Sequence, residues 1–73
     1  MSHIKLSILV QDTWRDRFPE VVENCRRAGL VVQRELIAVG IIIGSIDENS
    51  VSVLTQIEGV RAVERERTNW GLD

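Results

Sequence analysis

Apolar and polar residues alternate strictly near the start of the chain. Between His3 and Val10, aliphatic side chains occupy every second position: Ile4, Leu6, Ile8 and Val10. Residues two apart lie on the same face of a β-strand, so this period predicts a strand with one buried face. Leu9, at the opposite parity, is expected to point away from the core.

A helical period follows this strand. Five apolar residues have the spacing of a stripe along one side of a helix: Phe18, Val21, Val22, Cys25 and Ala28. Pro19 is tolerated only near the start of a helix, so we expect the helix to run from about Trp14 or Asp16 to Ala28. Asp12 or Thr13 is the expected N-cap, and Gly29 the expected C-terminal stop.

The rest of the chain predicts three more strands and a second helix. The stretch Ile41 to Ile46 is apolar at both parities, which is typical of a central strand, and Gly44 within it indicates a bulge or the close approach of another segment. Asp47 is the expected N-cap of the second helix, and Gly59 its stop. The predicted elements are strand Leu30 to Ile37, turn Ala38 to Gly40, strand Ile41 to Ile46, helix Glu48 to Glu58 and strand Val60 to Arg67.

This order predicts a single α+β domain of the ferredoxin-like βαββαβ class over residues 1–73. Right-handed crossovers would place the first and third strands at the centre of a four-stranded antiparallel sheet, with both helices on one face. The core is expected within residues 3–67, followed by a short polar tail at 68–73. Four residues are expected to be buried beneath the helices: Ile8, Phe18, Val22 and Leu54.

Composition narrows the class of protein. The chain is 44% hydrophobic and 27% charged, as ordinary globular domains are, and its net charge of −2 argues against a nucleic-acid partner. The longest apolar stretch, Leu36 to Gly44, is too short to cross a bilayer, and no signal-peptide pattern precedes it. A single cysteine, Cys25, excludes an internal disulfide and favours a reducing compartment, so a cytoplasmic protein is expected.

Side chains that could carry chemistry are few. Cys25 and His3 fall on different predicted elements, so neither a metal site nor a cofactor is expected. Lys5 is the one lysine in the sequence and alternates away from the core, which argues against a Schiff-base enzyme. The central strands carry no aromatic residues for stacking on RNA bases. The sequence therefore predicts a non-catalytic protein.

The face of the sheet away from the helices is the main candidate for binding. Either Ile41 and Ile43 or Ile42 and Ile46 must point to that face, and exposed aliphatic patches mark protein interfaces. Ala62, Glu64 and Glu66 share the outward parity of the fourth strand. Two partners are compatible with this pattern, a second copy of the chain and a different protein. The carboxylates could cap helix N-termini on a partner, or simply keep an edge strand soluble.

Two segments resemble a known family. Gly29 to Val51 (GLVVQRELIAVGIIIGSIDENSV) and Ile57 to Glu64 (IEGVRAVE) resemble the propeptides of subtilisin-like proteases and the related stand-alone inhibitors. The resemblance implies that the open sheet face packs on two protease helices and that Glu64 and Glu66 cap them. It also implies a substrate-like tail that enters the protease cleft: Thr68, Asn69, Trp70 and Gly71.

The sequence thus favours a non-catalytic protein-binding module similar to these inhibitors or to folding chaperones, with a subtilisin-like protease as the implied partner. A homo-oligomeric regulatory domain that binds a small ligand remains an alternative. Similar small bacterial proteins are also labelled ketohydroxyglutarate aldolases, an activity for which Lys5 alone is a poor basis.

Overall fold

Residues 2–66, the part of the chain that the computed structural model describes, form four antiparallel strands and two helices. Together they make a small α+β structure with an open sheet. The strands are β1 (His3–Val10), β2 (Val31–Leu36), β3 (Ile41–Asp47) and β4 (Val60–Arg65), and the helices are α1 (Phe18–Arg27) and α2 (Val51–Leu54).

The strand order in the sheet is β2-β3-β1-β4, so the first and third strands are central, as the element order predicted. Leu6 of β1 lies between Gly44 of β3 and Arg65 of β4. On one face, every second residue is buried from Leu6 to Val10 in β1 and from Ile42 to Ile46 in β3, because side chains alternate along a strand. The observed bounds of β1 are those that its alternation predicted.

Both helices contribute to one hydrophobic core on that face. Phe18, Val21, Val22 and Cys25 of α1 and Leu54 of α2 join the inward residues of the sheet: Leu6, Ile8, Ile42 and Ile46. The predicted burial of Ile8, Phe18, Val22 and Leu54 is confirmed, since none is more than 3% exposed. Burying each such side chain contributes about 1.5–3 kcal/mol, which is a large share of the stability of so small a domain.

The first helix begins later than predicted. A 3₁₀ helix occupies Asp12–Arg17, and α1 starts at Phe18 with Pro19 in its first turn. There Pro19 needs no N–H donor, whereas an earlier α-helical start would have cost a backbone hydrogen bond. The predicted caps, Asp12 and Thr13, are wrong: Gln11 precedes the 3₁₀ helix, and its side chain makes no capping hydrogen bond.

The C-terminal end of α1 follows the prediction. Gly29 has a positive φ of 111°, and the N–H of Leu30 donates to the Cys25 carbonyl at 3.0 Å. Glycine adopts this left-handed conformation without a steric penalty, so it reverses the chain into β2.

The second helix is much shorter than the predicted Glu48 to Glu58. A 3₁₀ turn at Glu48–Ser50 leads into the single turn of α2, and the following segment closes with 3₁₀-type bonds such as Ile57 N–H to the Leu54 carbonyl at 3.2 Å. β-branched residues disfavour a longer helix here, and buried Gly59, at φ 94°, turns the chain into β4. Asp47 is confirmed as a cap, because its carboxylate accepts the Asn49 N–H at 2.8 Å.

Candidate functional site

The open face of the sheet, opposite the helices, carries side chains from all four strands. The cross-strand register sorts them into rows that run perpendicular to the strands. The first row, called the apolar row below, lies at the end of the sheet where β2 connects to β3. It consists of Leu36, Ile41, Leu9 and Ala62, in the spatial order of the strands.

The second row carries charges at its two ends. From β2 to β4 it consists of Arg34, Ile43, Ser7 and Glu64. Arg34 and Glu64 are exposed and lie on opposite edge strands, with two intervening strands between them. The open face therefore has one positive and one negative edge at the same level.

The third row has an apolar residue at its β2 end and polar residues on the other strands. It consists of Val31, Ser45 and Lys5, and the N–H of Glu66 donates to the Lys5 carbonyl at 2.9 Å just beyond the end of β4. This bond continues the pairing of β1 with β4 by one residue. By strand alternation, Glu66 then lies on the same face as Glu64.

Two β-bulges set which side chains reach the open face. The register shifts between Val32 and Arg34 in β2, so Val32 pairs with Gly44 on the helix side while Arg34 pairs with Ile43 on the open side. An extra residue in one strand reverses the alternation beyond it. Simple alternation would have placed Arg34 on the same face as Val32.

The second bulge lies between β1 and β4, next to Leu9 and Val10. Val10 pairs with Val60, which is buried, whereas Leu9 pairs with Ala62 on the open face. The predicted outward placement of Ala62 and Glu64 is confirmed, but the bulge is what separates Ala62 from Val60.

Most of the apolar side chains of the open face are half-buried, including Leu9, Ile41 and Ile43, whereas Val31 in the third row is 54% exposed. They shield one another across the strands. Of the two alternatives that the sequence left open, Ile42 and Ile46 are the buried pair. The expectation of exposed aliphatics is met at Val31, and the other aliphatic side chains of the face are half-buried instead of exposed.

More strongly exposed apolar residues adjoin the apolar row. Ile37 and Val39, each 56% exposed, lie in the 3₁₀ turn that joins Leu36 to Ile41. The Arg15 guanidinium, from the segment before α1, donates to the Ala38 carbonyl at 3.3 Å and so holds this turn against the body of the domain. The apolar surface thus extends past the end of the sheet.

Ion pairs within the described chain belong to other surfaces. They are Arg15–Asp12, Arg17–Glu20, Arg26–Glu23, Arg26–Glu35 and Arg27–Glu23. None of those formed within residues 2–66 includes Arg34 or Glu64. Arg65 pairs with Leu6 in the β1–β4 register and therefore lies on the helix side of the sheet, away from Glu64.

Sequence reasoning missed the role of Trp14. Its half-buried ring packs against the core, and the Arg17 guanidinium lies 4.1 Å from the ring centroid. Arg17 also donates two hydrogen bonds to the Glu20 carboxylate at 3.1 Å, which raise the pKa of Arg17. The sequence did not predict that Trp14 packs against the core, because Trp14 lies in the 3₁₀ segment, outside the apolar stripe of α1. Its contacts are structural.

The potentially reactive residues are separate from one another. Burial raises the pKa of the Cys25 thiol to about 11, which disfavours the nucleophilic thiolate. Lys5 and His3 are exposed on β1. Residues 2–66 contain no group of three or more His, Cys, Asp or Glu side chains placed to hold a metal ion.

The helices of the described chain are also too short to act as membrane spans: none combines the length and hydrophobicity required to cross a bilayer.

The predicted partner-binding residues fall into two groups. Ala62, Glu64 and Glu66 lie along the β4 edge of the open face. The predicted tail residues lie outside the described residues: Thr68, Asn69, Trp70 and Gly71.

Searches against protein-family models, curated proteins and solved structures find no significant match to this chain.

Proposed function

We propose that this chain is a non-catalytic protein-binding domain that docks through the open face of its sheet, as the stand-alone inhibitors related to subtilisin propeptides do. The observation that carries the proposal is the apolar row: half-buried aliphatic side chains cross all four strands and continue onto exposed Ile37 and Val39. Contiguous apolar surface of this kind is typical of protein interfaces.

The shape of the surface favours a macromolecular partner. Neighbouring strands lie about 4.8 Å apart, so the apolar row extends roughly 15 Å across the sheet. That length matches about three turns of an α-helix laid across the strands. A partner helix in this position would cover Leu36, Ile41 and Leu9 together.

The ferredoxin-like βαββαβ arrangement is part of the same proposal. The central position of β1 and β3 supports it, as does the single core that both helices share with the sheet. In the family that the sequence resembles, this arrangement leaves one face of the sheet free to pack on protease helices.

The β4 edge supports a role for Glu64 and Glu66. Both follow Ala62 on the open face, and Arg65 lies on the other face, so the negative charge there is not interrupted by that arginine. Carboxylates beside an apolar contact surface can accept hydrogen bonds from the unpaired N–H groups at the N-termini of partner helices.

Titration against a panel of subtilisin-type proteases tests the proposal. We expect the intact protein to inhibit at least one of them in a concentration-dependent manner. Replacing Leu9 and Ile41 by serine should weaken inhibition, whereas replacing Val53, which is exposed on α2, should not. Unaltered proteolysis of substrate at micromolar excess, with the domain itself digested, contradicts the proposal.

A further inference from the structure

We infer that the open face is complementary to itself and that its partner includes a second copy of this chain, related by a two-fold axis that runs parallel to the strands. The inference rests on the proposed use of the open face for protein binding and adds the identity of one occupant. The positions of Arg34 and Glu64 at opposite ends of one row carry it.

The symmetry determines which strands meet. A two-fold axis parallel to the strands, between two face-to-face sheets, places β2 of one copy over β4 of the other and β3 over β1. This operation places each row of one copy over the same row of the other copy. Arg34 of each copy therefore lies over Glu64 of the other copy, which gives two symmetry-related ion pairs at the two edges.

The apolar residues are complementary under the same operation. Leu36 lies over Ala62 of the second copy, and Ile41 lies over Leu9. In the next row Ile43 lies over Ser7. Two of these pairings place a large side chain against a small one, which is how packed sheets interdigitate. Lys5 lies over Ser45, so the third row brings no like charges directly together.

The other face-to-face arrangement is unfavourable. A two-fold axis perpendicular to the strands would place each strand over its own copy and reverse the order of the rows. Arg34 would then lie over Arg34 and Glu64 over Glu64, and Leu9 would lie over Lys5. Like charges at the same level repel, so the charge pattern selects the parallel axis.

The dimensions indicate a reversible dimer. Packed sheets cross at about 30° and lie about 10 Å apart. The long side chains of arginine and glutamate can bridge this distance. The face measures about 20 Å in each direction, so two copies bury roughly 800 Å², below the range of stable interfaces. We therefore expect a dissociation constant for the dimer in the micromolar to millimolar range. At such an affinity, other partners can compete for the face.

Sedimentation across that concentration range, with charge variants, tests the inference. Wild-type protein should show a monomer–dimer equilibrium. Arg34→Glu and Glu64→Arg should each weaken dimerisation by at least about tenfold, because each places like charges at both edges. The double variant R34E/E64R should dimerise again, and an equimolar mixture of the two single variants should form heterodimers. Glu58→Arg, the same charge change outside the open face, is the control.

Several results would overturn the inference: a wild-type protein that stays monomeric throughout, single variants that dimerise like the wild type, or a double variant that does not recover. If the equimolar mixture of the single variants dimerises but the double variant R34E/E64R does not, the axis is perpendicular to the strands. Dimerisation seen only after removal of residues 67–73 would identify that segment as the occupant of the face.

Protease titration separates this inference from the proposed function. A monomeric protein that still inhibits a protease overturns the dimer alone. A wild-type protein that dimerises, yet inhibits nothing at concentrations where it is monomeric, overturns the inhibitor function alone. Circular dichroism should show native folding for each variant, since Arg34 and Glu64 are exposed.

Discussion

Gly44 in β3 lies so close to the Val31 carbonyl in β2 that a Cβ atom on residue 44 would be 2.4 Å from that oxygen. Leu30 Cγ would be 3.2 Å away on the same side. Because the nearest atom belongs to the backbone, the strands themselves must separate to admit a side chain. Gly44→Ala should therefore lower the free energy of unfolding by about 1–3 kcal/mol, as overpacking in a core does.

Chemical denaturation measures this change, and Ser45→Ala supplies the control on the neighbouring residue. Ser45 lies on the open face and is half-buried, so its substitution should change stability by less than about 0.5 kcal/mol. Equal stability of the wild type and the Gly44→Ala variant would mean that β2 and β3 are not packed this closely.

Phe18 is the largest side chain in the core and is 1% exposed. Phe18→Ala removes its apolar surface and leaves a cavity, so it should cost about 3–5 kcal/mol and leave little folded protein. Val53→Ala, at a position 47% exposed on α2, should be nearly neutral. Thermal unfolding monitored by circular dichroism distinguishes them, and a native-like melting curve for Phe18→Ala would refute the assigned core.

The buried thiol predicts a pH dependence at alkaline pH. Burial raises the pKa of Cys25 from 9.0 to about 11, so between these values the unfolded chain has lost this proton while the folded chain retains it. Since the folded state then binds more protons, stability falls as pH rises through this window, by up to about 1.4 kcal/mol per unit, and is fully retained below it.

Urea denaturation at several alkaline pH values measures this slope. Cys25→Ala should have lower stability at neutral pH but a shallower decline above pH 9.0, because it lacks the titrating thiol. Parallel slopes for the wild type and the variant would show that other groups cause the decline.

The β4 edge and the tail can be tested separately in protease inhibition. Removing Thr68 to Asp73 should weaken inhibition sharply while leaving the domain folded, because residues 2–66 form a hydrophobic core among themselves. Glu64→Gln and Glu66→Gln should each weaken it less, by about 0.3–1 kcal/mol and up to ~2 if the contact excludes water. Glu58→Gln is the matched control. An unchanged inhibition constant after tail removal would contradict a substrate-like tail.

Lys5 offers a test of the prediction that this chain is not an enzyme. It is exposed on the open face beside Ser45. A Schiff-base lysine is usually activated by desolvation or by a neighbouring cation. Lys5→Met should therefore leave the fold intact and abolish no activity, and neither the wild type nor the variant should form a covalent adduct with a keto acid. Borohydride trapping of a keto acid on Lys5, followed by mass spectrometry, would overturn this expectation.

The sequence was most informative where one period dominates. The alternation of Ile4, Leu6, Ile8 and Val10 predicted the bounds of β1, and the stripe on α1 predicted its buried face. Gly29 and Asp47 mark element ends through local chemistry, namely a positive φ and a carboxylate that accepts a backbone N–H. These features depend on neighbouring residues only.

Features that depend on pairing with distant residues could not be predicted. Gly44, which pairs with Val32, indicated a bulge or a close approach at this level, but nothing in the local pattern of β2 shows that the bulge moves Arg34 to the open face. The short α2 and the packing of Trp14 next to Gly59 likewise depend on tertiary contacts, because a Cβ on residue 59 would lie 2.9 Å from the indole ring. Consequently Ala62 and Glu64 were found in advance, whereas the opposite charge at Arg34 was not.

The pairing of β1 with β4 also constrains how the chain folds. A central strand near the start of the chain takes one of its two neighbours from the far end of the described residues, with Leu6 beside Arg65. Such long-range contacts require closure of a large loop before they repay its entropic cost, which slows folding. During synthesis, the first strand must therefore wait with one edge unpaired until the last one emerges, and no N-terminal fragment should hold this sheet together.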